Sequence, residues 1–155
     1  MPWREELILQ LNDLIKVNHD RITWYEKAAM ASKEFSVDLK NIFHHMASES
    51  RKHTRVLSVE VINLDGKPSA GKTLGGRLYI FWTDLINGIR GIDKVGLLNS
   101  SLAIEDAVKK TYINALNKNL EFPKEIYQKI QLQLQSLINS SDLILRYRQR
   151  LAINK

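Results

Sequence analysis

The 155-residue chain contains no cysteine, which excludes disulfides, thiolate metal sites and cysteine nucleophiles. Proline is scarce, at Pro2, Pro68 and Pro123 only, so long stretches are free to be helical. Glycine is sparse and gathered, with positions 66, 71, 75, 76 and 88 in one region. No apolar run approaches the ~20 residues of a membrane span. Met1-Pro2-Trp3-Arg4-Glu5-Glu6 passes straight into an amphipathic pattern, without the apolar core of a signal peptide. The reading is a soluble, cytoplasmic protein with no membrane partner. Internal repeats and low-complexity segments are also lacking.

A chain of this length suits one domain over residues 1–155 and buries roughly 70% of its unfolded surface on folding. Its net charge is +6. The basic residues are spread out, with local groups at Arg51, Lys52, Arg55 and at Arg146, Arg148, Arg150. Without an accompanying nucleic-acid motif, that pattern reads as a solvated surface rather than a polyanion site, so nucleic acid is an unlikely partner.

Hydrophobic periodicity divides the chain into helices. The first covers 5 to 32, along Leu7/Ile8, Leu11, Leu14/Ile15, Asn18, Ile22, Tyr25 and Ala28/Ala29, with His19 and Glu26 on its shoulder. The second runs from Phe35 to Leu64 with Ser36 as its N-cap, and stops at Asp65-Gly66-Lys67-Pro68. The glycine-bearing crossover from 66 to 92 carries a short helix over Leu74 to Ile86, burying Leu78, Phe81, Trp82 and Leu85. A third long helix extends from about Asp93, its cap, to Lys118. Pro123 opens the fourth at a first-turn position, and that helix buries Ile126, Ile130, Gln133/Leu134, Leu137, Ser141, Ile144 and Leu151. Two antiparallel hairpins joined by a long crossover make an all-α four-helix bundle of the ferritin-like arrangement.

The second helix is the informative one. Its stripe Leu39, Ile42/Phe43, Met46, Ser50, His53, Leu57, Val61 is apolar at both ends and polar in the middle, where Glu49 flanks Ser50 and His53. Asn18 interrupts the first helix, and Glu105 the third, near the same height. Buried polar groups need partners. A belt of Asn18, Glu49, His53, Glu105 and Tyr112 facing the bundle interior is therefore expected.

The chain resembles a bacterial family of ferritin-like four-helix proteins of undefined function. The resemblance rests on Leu11-Asn12-Asp13-Leu14-Ile15, Asp20, Tyr25, Ala28-Ala29, the exit Leu64-Asp65-Gly66-Lys67-Pro68, Gly76, Trp82, Asp84, Glu105-Asp106-Ala107, Tyr112, Ala115-Leu116, Pro123, Gln133, Asp142, Ile144 and Arg148. It spans most of the chain and implies the ferritin-like fold but little chemistry. One departure is Ser141-Asp142, where the family often has His-Asp.

Di-iron bundles take a Glu from each of two helices and Glu-x-x-His from each of the other two. Here Glu49 and His53 are four apart, and the fourth helix lacks the motif. Glu26, Glu49, His53 and Glu105 are the residues available for a single iron or manganese ion. The preferred reading is a hydrogen-bonded network that sets helix register. His45 and Glu49, also four apart, suit a surface pair. Gly66-Lys67-Pro68-Ser69-Ala70-Gly71-Lys72-Thr73 satisfies the phosphate-loop pattern, which requires a preceding strand and a parallel sheet. The stripe continuing to Leu64 contradicts that context, so a helix exit is expected and nucleotide binding is the weakest alternative. The functional expectation is a non-catalytic structural, stress-related or interaction module, and a homo-oligomer is compatible with it.

Overall fold

In a computed structural model of the protein, residues 2–32, 36–71, 93–118 and 122–153 are described. They form four helices: α1 (Pro2–Ser32), α2 (Val37–Asn63), α3 (Lys94–Asn117) and α4 (Lys124–Ile153). The short helix expected over Leu74 to Ile86 lies outside the described residues, as do Phe35, Lys72 and Thr73.

Each helix buries residues at alternating steps of four and three. In α1 these are Leu7, Leu11, Leu14, Asn18, Arg21, Tyr25, Ala28 and Ser32. In α2 they are Leu39, Phe43, Met46, Ser50, His53, Leu57 and Glu60. Leu98, Ser101, Glu105, Val108, Tyr112 and Ala115 continue the pattern in α3, and Ile126, Ile130, Gln133, Leu137, Ser140 and Ile144 in α4. A period of 3.5 keeps one seam of each helix turned to the bundle axis.

The caps explain where the helices begin and end. Ser36 Oγ accepts from Leu39 N at 3.1 Å and starts α2. Asp93 Oδ1 accepts from Gly96 N at 2.7 Å and starts α3. Pro123 sits one residue before α4, its carbonyl accepting from Tyr127 N at 3.0 Å, rather than inside the first turn. α2 closes with Asp65 in the left-handed region (φ 63°) and Gly66 N donating to Val61 O at 2.9 Å. Gly66 packs closely on α1: a Cβ there would lie 2.9 Å from Ile8 Cδ1, so the Ile8 side chain would have to shift.

Cross-helix bonds set the topology. Trp24 Nε1 donates to Ser101 Oγ, Arg21 Nε to Glu105, and Asn18 Nδ2 to Tyr112, so α3 runs antiparallel to α1. Ser36, Glu49 and Glu60 of α2 meet Tyr147, Ser140 and Lys129 of α4, again antiparallel. α1 packs on α2 and α3, and α4 packs on α3 and more loosely on α2. α2 and α3 are therefore parallel and diagonal, and residues 66–71 run back along α1. Asn12 grips the chain by donating to Lys67 O (3.1 Å) and accepting from Ser69 N (2.8 Å). At the surface His19 Nδ1 bonds Gly71 O at 2.7 Å.

Candidate functional site

The polar belt is built around Arg21, which is fully buried. Its place in the 4-3 pattern of α1, between Asn18 and Tyr25, points the guanidinium at the bundle axis. Nε and Nη2 donate to the two carboxylate oxygens of Glu105 at 2.7 and 2.8 Å. Nη1 donates to Glu49 Oε1 at 2.7 Å, Ser50 Oγ at 3.0 Å and the Met46 carbonyl at 3.2 Å. The Tyr25 ring lies 5.3 Å from the guanidinium carbon. These are charge-assisted bonds, and the pair with Glu105 is bidentate.

Glu49 carries the cluster toward α4. Its Oε2 accepts from Ser140 Oγ at 2.8 Å and from Ser136 Oγ. Burial pushes the Glu49 carboxyl up, but the Arg21 charge and the two serine hydroxyls outweigh it and hold its pKa below the usual carboxylate range. Burial alone would favour a neutral Arg21, yet Glu105 and Glu49 hold it charged. One guanidinium against two carboxylates leaves a formal negative charge, directed through Glu49 to a groove of about 410 Å³ between α2 and α4.

One turn away lies a second polar layer, with a residue from each helix. Asn18 Nδ2 donates to Leu14 O and Tyr112 Oη, both at 2.8 Å. Tyr112 Oη donates to Gln133 Oε1 at 2.7 Å, and Gln133 Nε2 to the His53 carbonyl at 3.3 Å. Burial raises the Tyr112 hydroxyl above its ordinary range. Burial, aided by the Arg21 charge and opposed by Glu49, lowers His53 to about 4, so the imidazole is neutral at pH 7. Its Nδ1 and the Asn18 Oδ1 are buried without a protein partner. The Tyr25 hydroxyl, raised by burial and by the neighbouring Glu105 carboxylate, makes no bond of ordinary geometry.

Of the residues singled out from sequence, Glu49 and Glu105 meet through Arg21, and Asn18 meets Tyr112. His53 lies beside Glu49 on α2 and joins the second layer by its carbonyl. Glu26 does not join them. It is exposed on the surface and pairs with Arg51, because its position on α1 falls outside the inward seam. The expected His45–Glu49 pair is not formed either: His45 is exposed, and Glu49 turns inward to Arg21. Ser141 is buried, with its hydroxyl on the Leu137 carbonyl at 3.0 Å. Sequence reading passed over Arg21 and Ser140. The signal for Arg21 was its exact three-residue step from Asn18 and four-residue step to Tyr25.

These residues do not fit a metal ion while Arg21 is in place. The space between Glu49 and Glu105 holds a guanidinium, which repels a second cation and uses both Glu105 oxygens. Among the described residues, no three His, Asp or Glu side chains converge as a ligand set. The phosphate-loop match is likewise not a cradle over its described part. A helix precedes it, and the Ser69 and Gly71 amides are bonded to Asn12 and to Ser69 Oγ. No described helix is long and apolar enough to cross a membrane.

No curated protein matches the chain. Residues 6–118 match a family described as a domain of unknown function (DUF2383), which takes in most of α1 and all of α2 and α3, with Arg21, Glu49 and Glu105. The chain, an all-α four-helix bundle with a buried arginine–carboxylate core, belongs to the DUF2383 family.

Proposed function

We propose that this protein is a non-catalytic, cytoplasmic bundle of the ferritin-like arrangement. It acts as a structural, stress-related or interaction module, and its mid-bundle belt sets helix register. The observation that carries this reading is the Arg21 guanidinium between Glu49 and Glu105. A carboxylate pair clamped by a guanidinium has neither the open coordination positions of a metal catalyst nor a free base for proton transfer. The diagonal placement of α2 and α3 supports the ferritin-like arrangement. What the belt does offer is specificity. A misregistered helix would leave a buried charge unpaired, at a cost of about 3–5 kcal/mol. The test is metal analysis of protein purified without chelators, paired with melting curves in manganese or ferrous iron. The expected result is substoichiometric metal and an unchanged Tm. Stoichiometric metal that raises Tm would instead establish an ion site at Glu49, His53 and Glu105.

A further inference from the structure

Between Lys40 and Leu64, α2 carries only two acids, and both turn away from solvent. Glu49 bonds Arg21 and the α4 serines, and Glu60 pairs with Lys129 of α4. The exposed face of α2 is therefore basic along its middle, with Arg51, Lys52 and Arg55 beside His44 and His45. Arg51 is paired with Glu26 of α1, whereas Lys52 and Arg55 have no ion-pair partner among the described residues. Across the seam, α4 carries no acid between Glu125 and Asp142. Apolar side chains stand among these bases. Val56, Val59 and Ile62 are 40%, 54% and 58% exposed, and Leu132 of α4 is 70% exposed. The bonds from Gln133 to His53 and from Lys129 to Glu60 bring Leu132 level with Val56. Steps of three then carry the row Val56, Val59, Ile62 obliquely over α2. Lys52 and Arg55 lie one turn before Val56 and Val59, each on the same row as the residue it precedes.

We propose that this face docks an acidic amphipathic helix of a protein partner, its apolar stripe on Leu132, Val56, Val59 and Ile62 and its carboxylates on Lys52 and Arg55. The inference rests on the reading of the protein as an interaction module, and names the class of partner. An exposed apolar row framed by charge marks a recognition surface, and a helix supplies anchors at the three- and four-residue steps that such a row needs. The charge on the face selects the sign of the partner. A second copy is disfavoured, because the chain carries a net +6 and would set bases against bases. An anionic bilayer is disfavoured as well. The row is built of Val, Ile and Leu, and among the described residues α2 and α4 expose no aromatic side chain to seat among headgroups. Apolar contact supplies the affinity, and the bases at its rim orient the partner and speed its arrival.

The test uses the full-length protein and a labelled synthetic helix of about 20 residues, with leucines along one stripe and glutamates on both flanks. A twin peptide carries lysine for every glutamate. Fluorescence anisotropy should give the glutamate peptide a Kd at least roughly tenfold below that of its twin, and added salt should weaken the binding. Amide NMR shifts on titration should centre on Lys52 to Ile62 and on Leu132. Lys52→Glu with Arg55→Glu should weaken binding about tenfold, and Val59→Asn with Ile62→Asn should do the same. Lys27→Glu with Lys110→Glu makes an equal change of net charge at other exposed positions, and should leave binding within about twofold. All these positions are exposed, so the variants should keep the wild-type Tm. No preference for the glutamate peptide overturns the proposal, as does equal loss in the two charge-reversed variants. Self-association, or binding of phosphatidylglycerol vesicles, that Val59→Asn with Ile62→Asn abolishes would also overturn it, by giving the face to a second copy or to a lipid surface. Metal in the wild type would defeat the structural reading of the belt, whereas a metal-free protein indifferent to the glutamate peptide defeats this inference alone.

Discussion

Arg21 makes more side-chain bonds than any neighbour in the belt, and its loss should be the most damaging single change there. Arg21→Met leaves two carboxylates without their partner and should cost about 3–5 kcal/mol in urea unfolding. In a double-mutant cycle, Arg21→Met with Glu105→Leu should cost clearly less than the two single changes added together, because the orphaned charge goes with its partner. Strict additivity would mean the bidentate pair contributes no coupling. His53 supplies a pH dependence. Its folded pKa, about 4, lies below the ordinary 6.5. The unfolded chain therefore takes up the proton first as pH falls, so the contribution is complete above about 6.5 and lost between there and about 4. That loss amounts to up to about 3 kcal/mol. Glu49 acts in the same direction at lower pH, since its folded pKa is also depressed. Unfolding of His53→Gln at pH 7, 5.5 and 4.5 should show a flatter profile than the wild type. An unchanged slope would place the titration elsewhere. At the surface, Glu26→Gln should shift stability by less than about 0.5 kcal/mol, because its pair with Arg51 is half exposed and screened.

At the scale of elements, the helices owe their boundaries to local chemistry and their inward faces to the 4-3 spacing. Ser36 and Asp93 cap as their residue types lead one to expect. The exit from α2 is settled by contacts with α1: Gly66 lies against Ile8, and the following residues are held by Asn12. Asn12→Ala should release this segment at a cost of about 1 kcal/mol, with faster hydrogen exchange at the Ser69 amide. Full protection of that amide in the variant would argue for another tether. Because the Ser69 and Gly71 amides are already bonded, ATP with magnesium should leave Tm unchanged.

For the whole molecule, the belt raises a choice between stability and uniqueness. Buried ion clusters replaced by apolar side chains often leave a protein as stable or more so, by about 1–4 kcal/mol. A triple variant carrying Arg21→Leu, Glu49→Leu and Glu105→Leu should therefore melt no lower than the wild type. If the cluster sets register, the same variant should lose chemical-shift dispersion in its amide NMR spectrum, since apolar seams slide past one another with little penalty. A variant with sharp, wild-type-like spectra would remove the register role and leave the cluster without one.

The sequence by itself determined the four long helices, most of their buried faces and two of the caps. Those properties are local, set by periodicity and by residues within a turn of one another. It also marked Asn18, Glu49, His53, Glu105 and Tyr112 as polar interruptions, because a polar residue in an apolar stripe is visible without knowing its partner. Arg21 was hidden by its own length. A long basic side chain beside Ile22 reads as a solvated shoulder until α2 and α3 bring two carboxylates to it. Glu26 was misplaced because membership of the inward seam turns on a difference of one helical step. Which polar groups pair, and whether two carboxylates face a metal or a guanidinium, was decided only by tertiary structure. Those outcomes depend on the relative height and rotation of helices far apart in the chain, and on charges that become strong only once packing removes the water between them.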